Sequence, residues 1–220
     1  MNRAARFWNR FADRYAARPI KDVAGYEALL ADAAARLGAG DRVLEIGCGT
    51  GGTAIRLAEG VAQYVATDFS AEMIRIAKAK PAPTNLRFLL AEAAALPDGG
   101  PFDAISAFNV LHLVDDLPGL LRKLRDGLAP GGLLICKTWC FGDLPLRLSL
   151  LFRALRLVGL FPPARFLTQA ELHQTLQAAG FAIETTRVFG ARAQNPYIVA
   201  RATETPLEDI SLPKSESPLP

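Results

Sequence analysis

Cysteine and histidine are scarce in this sequence, three of one and two of the other in 220 residues. Cys48, Cys136 and Cys140 are too few for the paired framework of a disulfide-stapled domain. With only two histidines there is no recognisable zinc-ligand set, so no metal site is expected. Long apolar runs are missing as well, which excludes a spanning helix. The first residues carry charge but no following apolar stretch, because Arg10, Asp13 and Arg14 break it; no secretory signal is read and a cytoplasmic setting is expected. Net charge is low, at +3. Residues 203–220 hold four acids and one lysine, which leaves an excess of six positive charges on the rest, too mild to argue for nucleic acid.

What is present is half apolar and regular in pattern. From Arg42 onward, short β-branched runs alternate with helical periods, as in a mostly parallel sheet wrapped by helices, an α/β fold. Strands are expected at 43–46, 64–67, 86–91, 104–108 and 133–135, with two closing strands at 181–189 and 197–202. Between them, Ala54, Leu57, Ala58 and Val61 form one helical face, and Met73, Ile76 and Ala77 another, capped by Ser70. Leu117, Leu120, Leu121, Leu124 and Leu128 mark a third, and Pro130-Gly131-Gly132 turns the chain into the fifth strand. Thr168 and Glu171 read as a capping box, with Gly180 as the helix stop. The domain plan is a helical cap over 1–41, a core over 42–202 with a helical insertion at 141–167, and a disordered tail over 203–220, rich in Pro, Ser and acids.

After the first strand comes Glu45-Ile46-Gly47-Cys48-Gly49-Thr50-Gly51. A glycine loop here brings backbone N–H groups and a helix N-terminus to a ligand, which many nucleotide folds share. The carboxylate of Glu45 discriminates between ligands: it would repel a pyrophosphate and attract the ammonium and sulfonium of S-adenosyl-L-methionine. Asp68, 17 residues beyond Gly51 and at the end of the second strand, suits the two ribose hydroxyls, with helix capping as the rival role. Phe69 suits either the adenine face or the core. Glu92 and the Ala93 amide, after the third strand, suit the adenine edge.

These pieces resemble the class I methyltransferases, of the type that includes the ubiquinone and menaquinone biosynthesis C-methyltransferases. The matching residues are Val43 to Gly51, Thr67-Asp68-Phe69-Ser70 with Met73, Ala91-Glu92-Ala93 before Leu96-Pro97, Phe102-Asp103, and Leu128-Ala129-Pro130-Gly131-Gly132. The aromatic segment from Phe7 to Tyr15 also resembles the helix that precedes the fold in such enzymes. The resemblance spans roughly residues 7–202 and implies a Rossmann-like, seven-stranded sheet with the last strand antiparallel. It further implies S-adenosyl-L-methionine as cofactor, held by Tyr15, Glu45, Gly47, Cys48, Gly49, Gly51, Asp68, Phe69, Met73, Glu92, Ala93 and Asn109. One departure is Glu92, where the family most often has Asp. Another is residues 144–161, crowded with leucine and carrying Arg147, Arg153 and Arg156, which have no counterpart in the minimal fold.

Methyl transfer from a sulfonium is an in-line displacement in which position and exclusion of water matter most. His112, just past the fourth strand at the ligand-bearing edge, is the candidate catalytic base, against a packing role between leucines. Asn109 suits the methionine end of the cofactor or a turn. Phe7, Trp8, Phe11 and Tyr15 form an aromatic helical face that serves as a lid or packs on the sheet. Residues 144–161 suit a peripheral membrane contact, a cover for a hydrophobic substrate, a buried helix or a dimer interface. A small hydrophobic or amphiphilic acceptor is expected, on a monomer or homodimer. Asn195-Pro196-Tyr197 is only superficially similar to a base-flipping motif, so no nucleic-acid partner is expected. A non-catalytic binding module and an NAD-dependent oxidoreductase are the alternatives.

Overall fold

The computed structural model describes residues 3–157, 160–162 and 164–203. Seven strands form one sheet: β1 (Arg42–Ile46), β2 (Gln63–Asp68), β3 (Leu86–Leu90), β4 (Phe102–Phe108), β5 (Leu128–Lys137), β6 (Phe181–Arg187) and β7 (Tyr197–Ala202). Their order is β3-β2-β1-β4-β5-β7-β6. The first five run parallel, and β7 lies antiparallel between β5 and β6. The order reverses beside β1, so β1 and β4 diverge to opposite sides and leave a crevice at their carboxyl ends, where open α/β sheets bind ligands.

Seven helices complete the described chain: α1 (Arg3–Ala16), α2 (Val23–Ala34), α3 (Gly52–Ala58), α4 (Ala71–Lys78), α5 (Leu117–Gly127), α6 (Leu146–Leu157) and α7 (Gln169–Ala178). Strand alternation splits the core into two layers. Leu44 and Ile46 pack with α5 and α7, whereas Val43 packs with Leu29, Leu57 and Tyr64 on the side of α2 and α3. The capping box is formed, with Thr168 accepting from the Glu171 N–H and Glu171 accepting from the Thr168 N–H at 2.8 Å. Ser70 caps α4 by accepting from the Met73 N–H.

Several elements differ from expectation. Ile74, not Ile76, joins Met73 and Ala77 in the core, because the buried stripe of so short a helix is set by its approach to β2 and β3. Leu128 lies in β5, not α5. That strand starts before Pro130 and bulges around it, so Phe102 pairs with Leu128 while Ala104 already pairs with Leu133. Helix α2 falls within the helical cap expected over 1–41, though its own residues were not picked out in the sequence; Asp22 caps it and Leu29, Leu30 and Ala33 are buried. Thr203, placed in the tail, bonds through its N–H and hydroxyl to the Gly180 carbonyl. The remainder of that tail, and positions 158, 159 and 163 of the insertion, lie outside the described residues.

Candidate active site

The loop after β1 is built by glycines with distinct duties. Gly51 has φ 75°, and a Cβ there would stand 2.6 Å from the Phe88 ring, so this glycine lets α3 meet the sheet. Gly49 has φ 54°, and a Cβ would meet only the Tyr15 ring, at 3.9 Å; its face is open to a ligand. Gly51, expected at the cofactor, has its Cα face against Phe88 and Ala77. Cys48 is buried behind the loop, with its thiol pKa raised by burial.

Asp68 ends β2 and faces the same crevice as Gly47, Gly49, Met73 and Phe69. One carboxylate oxygen accepts from the Gly49 N–H at 2.9 Å and the other from the Ser70 N–H at 2.8 Å. Each oxygen keeps a lone pair for a further donor. Burial raises the Asp68 pKa, the two backbone N–H groups work against that, and Glu92 adds to the rise. Asp68 thus ties the glycine loop to the start of α4 while presenting an acceptor pair to a vicinal diol.

Glu45 does not sit where the charge argument placed it. Alternation along β1 turns it to the face of Val43, away from the crevice, and it is 2% exposed. The Tyr64 hydroxyl donates to it at 2.8 Å, and burial raises its pKa to about 7 against that bond. Glu45 does not line the crevice. Glu92 is exposed and Ala93 half-buried, and neither lines the crevice.

Asn109 follows β4 with φ 57°, a left-handed conformation that Asn tolerates better than most residues. Its N–H donates to the Lys137 carbonyl at 2.6 Å, and its side-chain oxygen accepts from Asn195 at 3.3 Å. Here the crevice opens into a second, larger cavity of about 610 Å³, within the size range of small-molecule sites. Trp8, Tyr15 and Asn109 belong to both walls.

That larger cavity is aromatic. Trp139 and Phe141 stack 5.6 Å apart at 7°. Phe152 and Phe161 pack together at 4.8 Å, and Phe161 meets the Phe141 edge at 5.3 Å. His112 lies in the same wall, buried, with its ring edge-on to Phe141 at 5.5 Å. Nδ1 is 3.0 Å from the Thr138 hydroxyl oxygen, which also accepts from the His112 N–H. Burial lowers the imidazole pKa to about 3, so the ring is neutral at physiological pH. Thr138, Trp139 and Phe141 went unnoticed in the sequence, although they leave the fifth strand at the edge where ligands bind.

Helix α1 closes the crevice from above. Its Asn9 accepts from the Ser70 hydroxyl at 2.7 Å, and its Asp13 pairs with Arg75 of α4 at 3.1 Å. Trp8 packs edge-on against Tyr15 at 5.9 Å. The crevice beneath is narrow, about 60 Å³, and shares Trp8, Tyr15 and Asn109 with the larger cavity. In chemistry the residues fit S-adenosylmethionine: an unobstructed glycine face, an acid with two spare acceptor positions, and apolar surface from Met73 and Phe69.

The parallel sheet with β7 reversed, the glycine loop after β1 and the acid after β2 define the class I methyltransferase fold. The chain matches the family model described as a methyltransferase domain over residues 9–186, and it belongs to that family. It is 38% identical over 116 residues to an uncharacterized methyltransferase of Mycobacterium bovis, a match covering 52% of this chain and 57% of that one. It is 34% identical over 111 residues to a demethylmenaquinone methyltransferase of Lactococcus lactis, covering 47% and 44%. The chain thus spans about half the length of the curated relatives it matches. The magnesium protoporphyrin IX methyltransferase of Synechocystis, solved with S-adenosylmethionine bound, shares the fold at a TM-score of 0.67 and 19% identity, over 92% of this chain and 99% of that one.

Proposed function

We propose that this protein transfers the methyl group of S-adenosyl-L-methionine to a small, largely apolar, aromatic acceptor. The observation that carries this is the junction at Asn109, where the Asp68 and Gly49 crevice meets the aromatic cavity. When bound, the cofactor supplies an electrophilic methyl group on a sulfonium with a neutral leaving group. The chain's own residues bind, orient and exclude water: Asp68 accepts from the ribose, Gly49 lets the backbone approach, and Trp8 and Tyr15 cover the junction. His112 is neutral, and its Nε2 can accept a proton only if Nδ1 keeps its hydrogen toward Thr138. A quinone precursor is one acceptor of the right character, a reading supported by the relative named for demethylmenaquinone.

Helix α6 suits delivery of such an acceptor from an anionic lipid surface. Among its residues none is buried, Leu150 and Leu157 are exposed, and Arg147, Arg153 and Arg156 provide positive charge beside them. Leu148 and Phe152 of the same helix belong to the cavity wall.

Calorimetric titration with S-adenosylhomocysteine tests the cofactor reading. Micromolar or tighter binding is expected, with Asp68→Ala weakening it about 30-fold or more through lost charge-assisted hydrogen bonds. Absence of binding to the native protein, or tighter binding of NADH, would reject it.

A further inference from the structure

The aromatic cavity carries an uneven charge that its interior does not explain. Arg14 of α1, Arg18 just beyond the end of that helix and Arg192, from the segment between β6 and β7, all reach the cavity wall, and among the described residues no Asp or Glu does. Several other exposed arginines are matched: Arg56 with Glu27, Arg75 with Glu72 and Asp13, Arg187 with Asp32, Arg201 with Glu184. None of the three cavity arginines has a carboxylate within ion-pair distance among the described residues. The acid nearest in sequence to Arg14, Asp13, is taken by Arg75. Arg14 lies in the last turn of α1 and Arg18 follows two residues beyond its end at Ala16, and both reach the cavity wall beside Phe11 and Tyr15. Arg192 lies over the Trp139 ring with its guanidinium carbon 5.5 Å from the centroid, so it is held at the wall by stacking.

Like charges that share one cavity wall repel one another, and an arrangement of this kind is stabilised by an anion bound among them. Guanidinium groups also match the geometry of carboxylate, sulfonate and phosphate oxygens. From this we infer that the acceptor is an aromatic acid: its apolar body lies among Trp139, Phe141 and Phe152, and its anionic group is held at the mouth by Arg14, Arg18 and Arg192. The inference rests on the reading of the cavity as the acceptor side of a methyltransferase. It narrows that acceptor from apolar to apolar with one negative end.

Fluorescence titration of the full chain with two probes of one shape, anilinonaphthalene sulfonate and its neutral counterpart phenylnaphthylamine, tests it, alongside calorimetry with S-adenosylhomocysteine. The native protein is expected to bind the sulfonate about tenfold more tightly, a preference of about 1.4 kcal/mol that shrinks with salt. Arg14→Gln, Arg18→Gln and Arg192→Gln together are expected to erase that preference and leave the neutral probe and S-adenosylhomocysteine unaffected. The corresponding lysine substitutions are expected to keep it. Equal affinity of the native protein for both probes would overturn the proposal. So would a triple variant whose loss falls on S-adenosylhomocysteine, since the arginines would then serve the cofactor's own carboxylate. Failure of native protein to bind S-adenosylhomocysteine sinks the methyltransferase reading separately, because the probe preference is read without it.

Discussion

At the scale of single residues, two glycines that look alike in sequence carry unlike duties. A methyl group on Gly51 collides with Phe88 and Ala77 and is also strained by the left-handed backbone. Gly51→Ala is therefore expected to cost about 2–3 kcal/mol of stability in urea unfolding. The Gly49 backbone is similarly left-handed, but space is open there. Gly49→Ala is expected to cost about 1 kcal/mol while weakening S-adenosylhomocysteine about tenfold or more, because the new methyl stands where a ligand must approach. The reverse ordering in paired unfolding and binding measurements would show that the loop is read wrongly. Spacing revealed the loop but not this division, since nothing local to Gly51 announces Phe88, 37 positions away in the chain.

At the scale of elements, α1 and α6 frame the cavity and differ in how they are held. Ala5 and Ala12 of α1 are buried, and Asn9 and Asp13 bond to α4; no residue of α6 is buried. Substitution on α6 should accordingly leave the fold intact. Leu150→Ser with Leu157→Ser is expected to change stability by less than about 0.5 kcal/mol. It is also expected to abolish co-sedimentation with vesicles containing anionic phospholipid, while neutral vesicles retain neither form. Unchanged sedimentation of the variant, or a native protein that ignores anionic vesicles and dimerises through this helix, would remove the lipid surface from the proposal. The leucines and arginines were plain in the sequence. Their exposure was not, because a run of leucine reads the same on a buried helix as on an uncovered one.

At the scale of the whole molecule, the buried carboxyl of Glu45 ties stability to pH. Its pKa is raised by burial to about 7 in the fold, from an ordinary value near 4.5. Below the unfolded value both states are protonated and the group costs nothing. As pH rises from about 4.5 to about 7 the unfolded chain ionises first, and the fold loses about 2–3 kcal/mol relative to its acid state. His112 acts in the opposite sense on the acid side, since its lowered pKa leaves the unfolded chain to take up protons first as pH falls. The difference between Glu45→Gln and native protein isolates the carboxyl. Unfolding free energies are expected to show the variant gaining about 2–3 kcal/mol on the native protein between about pH 4 and pH 8. A constant difference across that range would mean Glu45 is ionised in the fold.

Periodicity and turn chemistry alone determined the alternating strands and helices, the antiparallel last strand came from the family resemblance, and the motifs marked Asp68 and the glycine loop. Those are local properties, written in residues a few positions apart. The tertiary structure decided what depends on facing and distance. Strand alternation turned Glu45 into the core, β4 and β5 brought His112 against Thr138, and α1, the turn after it and the segment before β7 brought three arginines to the wall of one aromatic cavity. Contacts between residues far apart in the chain carry no local signal, because the same side chain serves a core or a cavity according to what the fold sets opposite it.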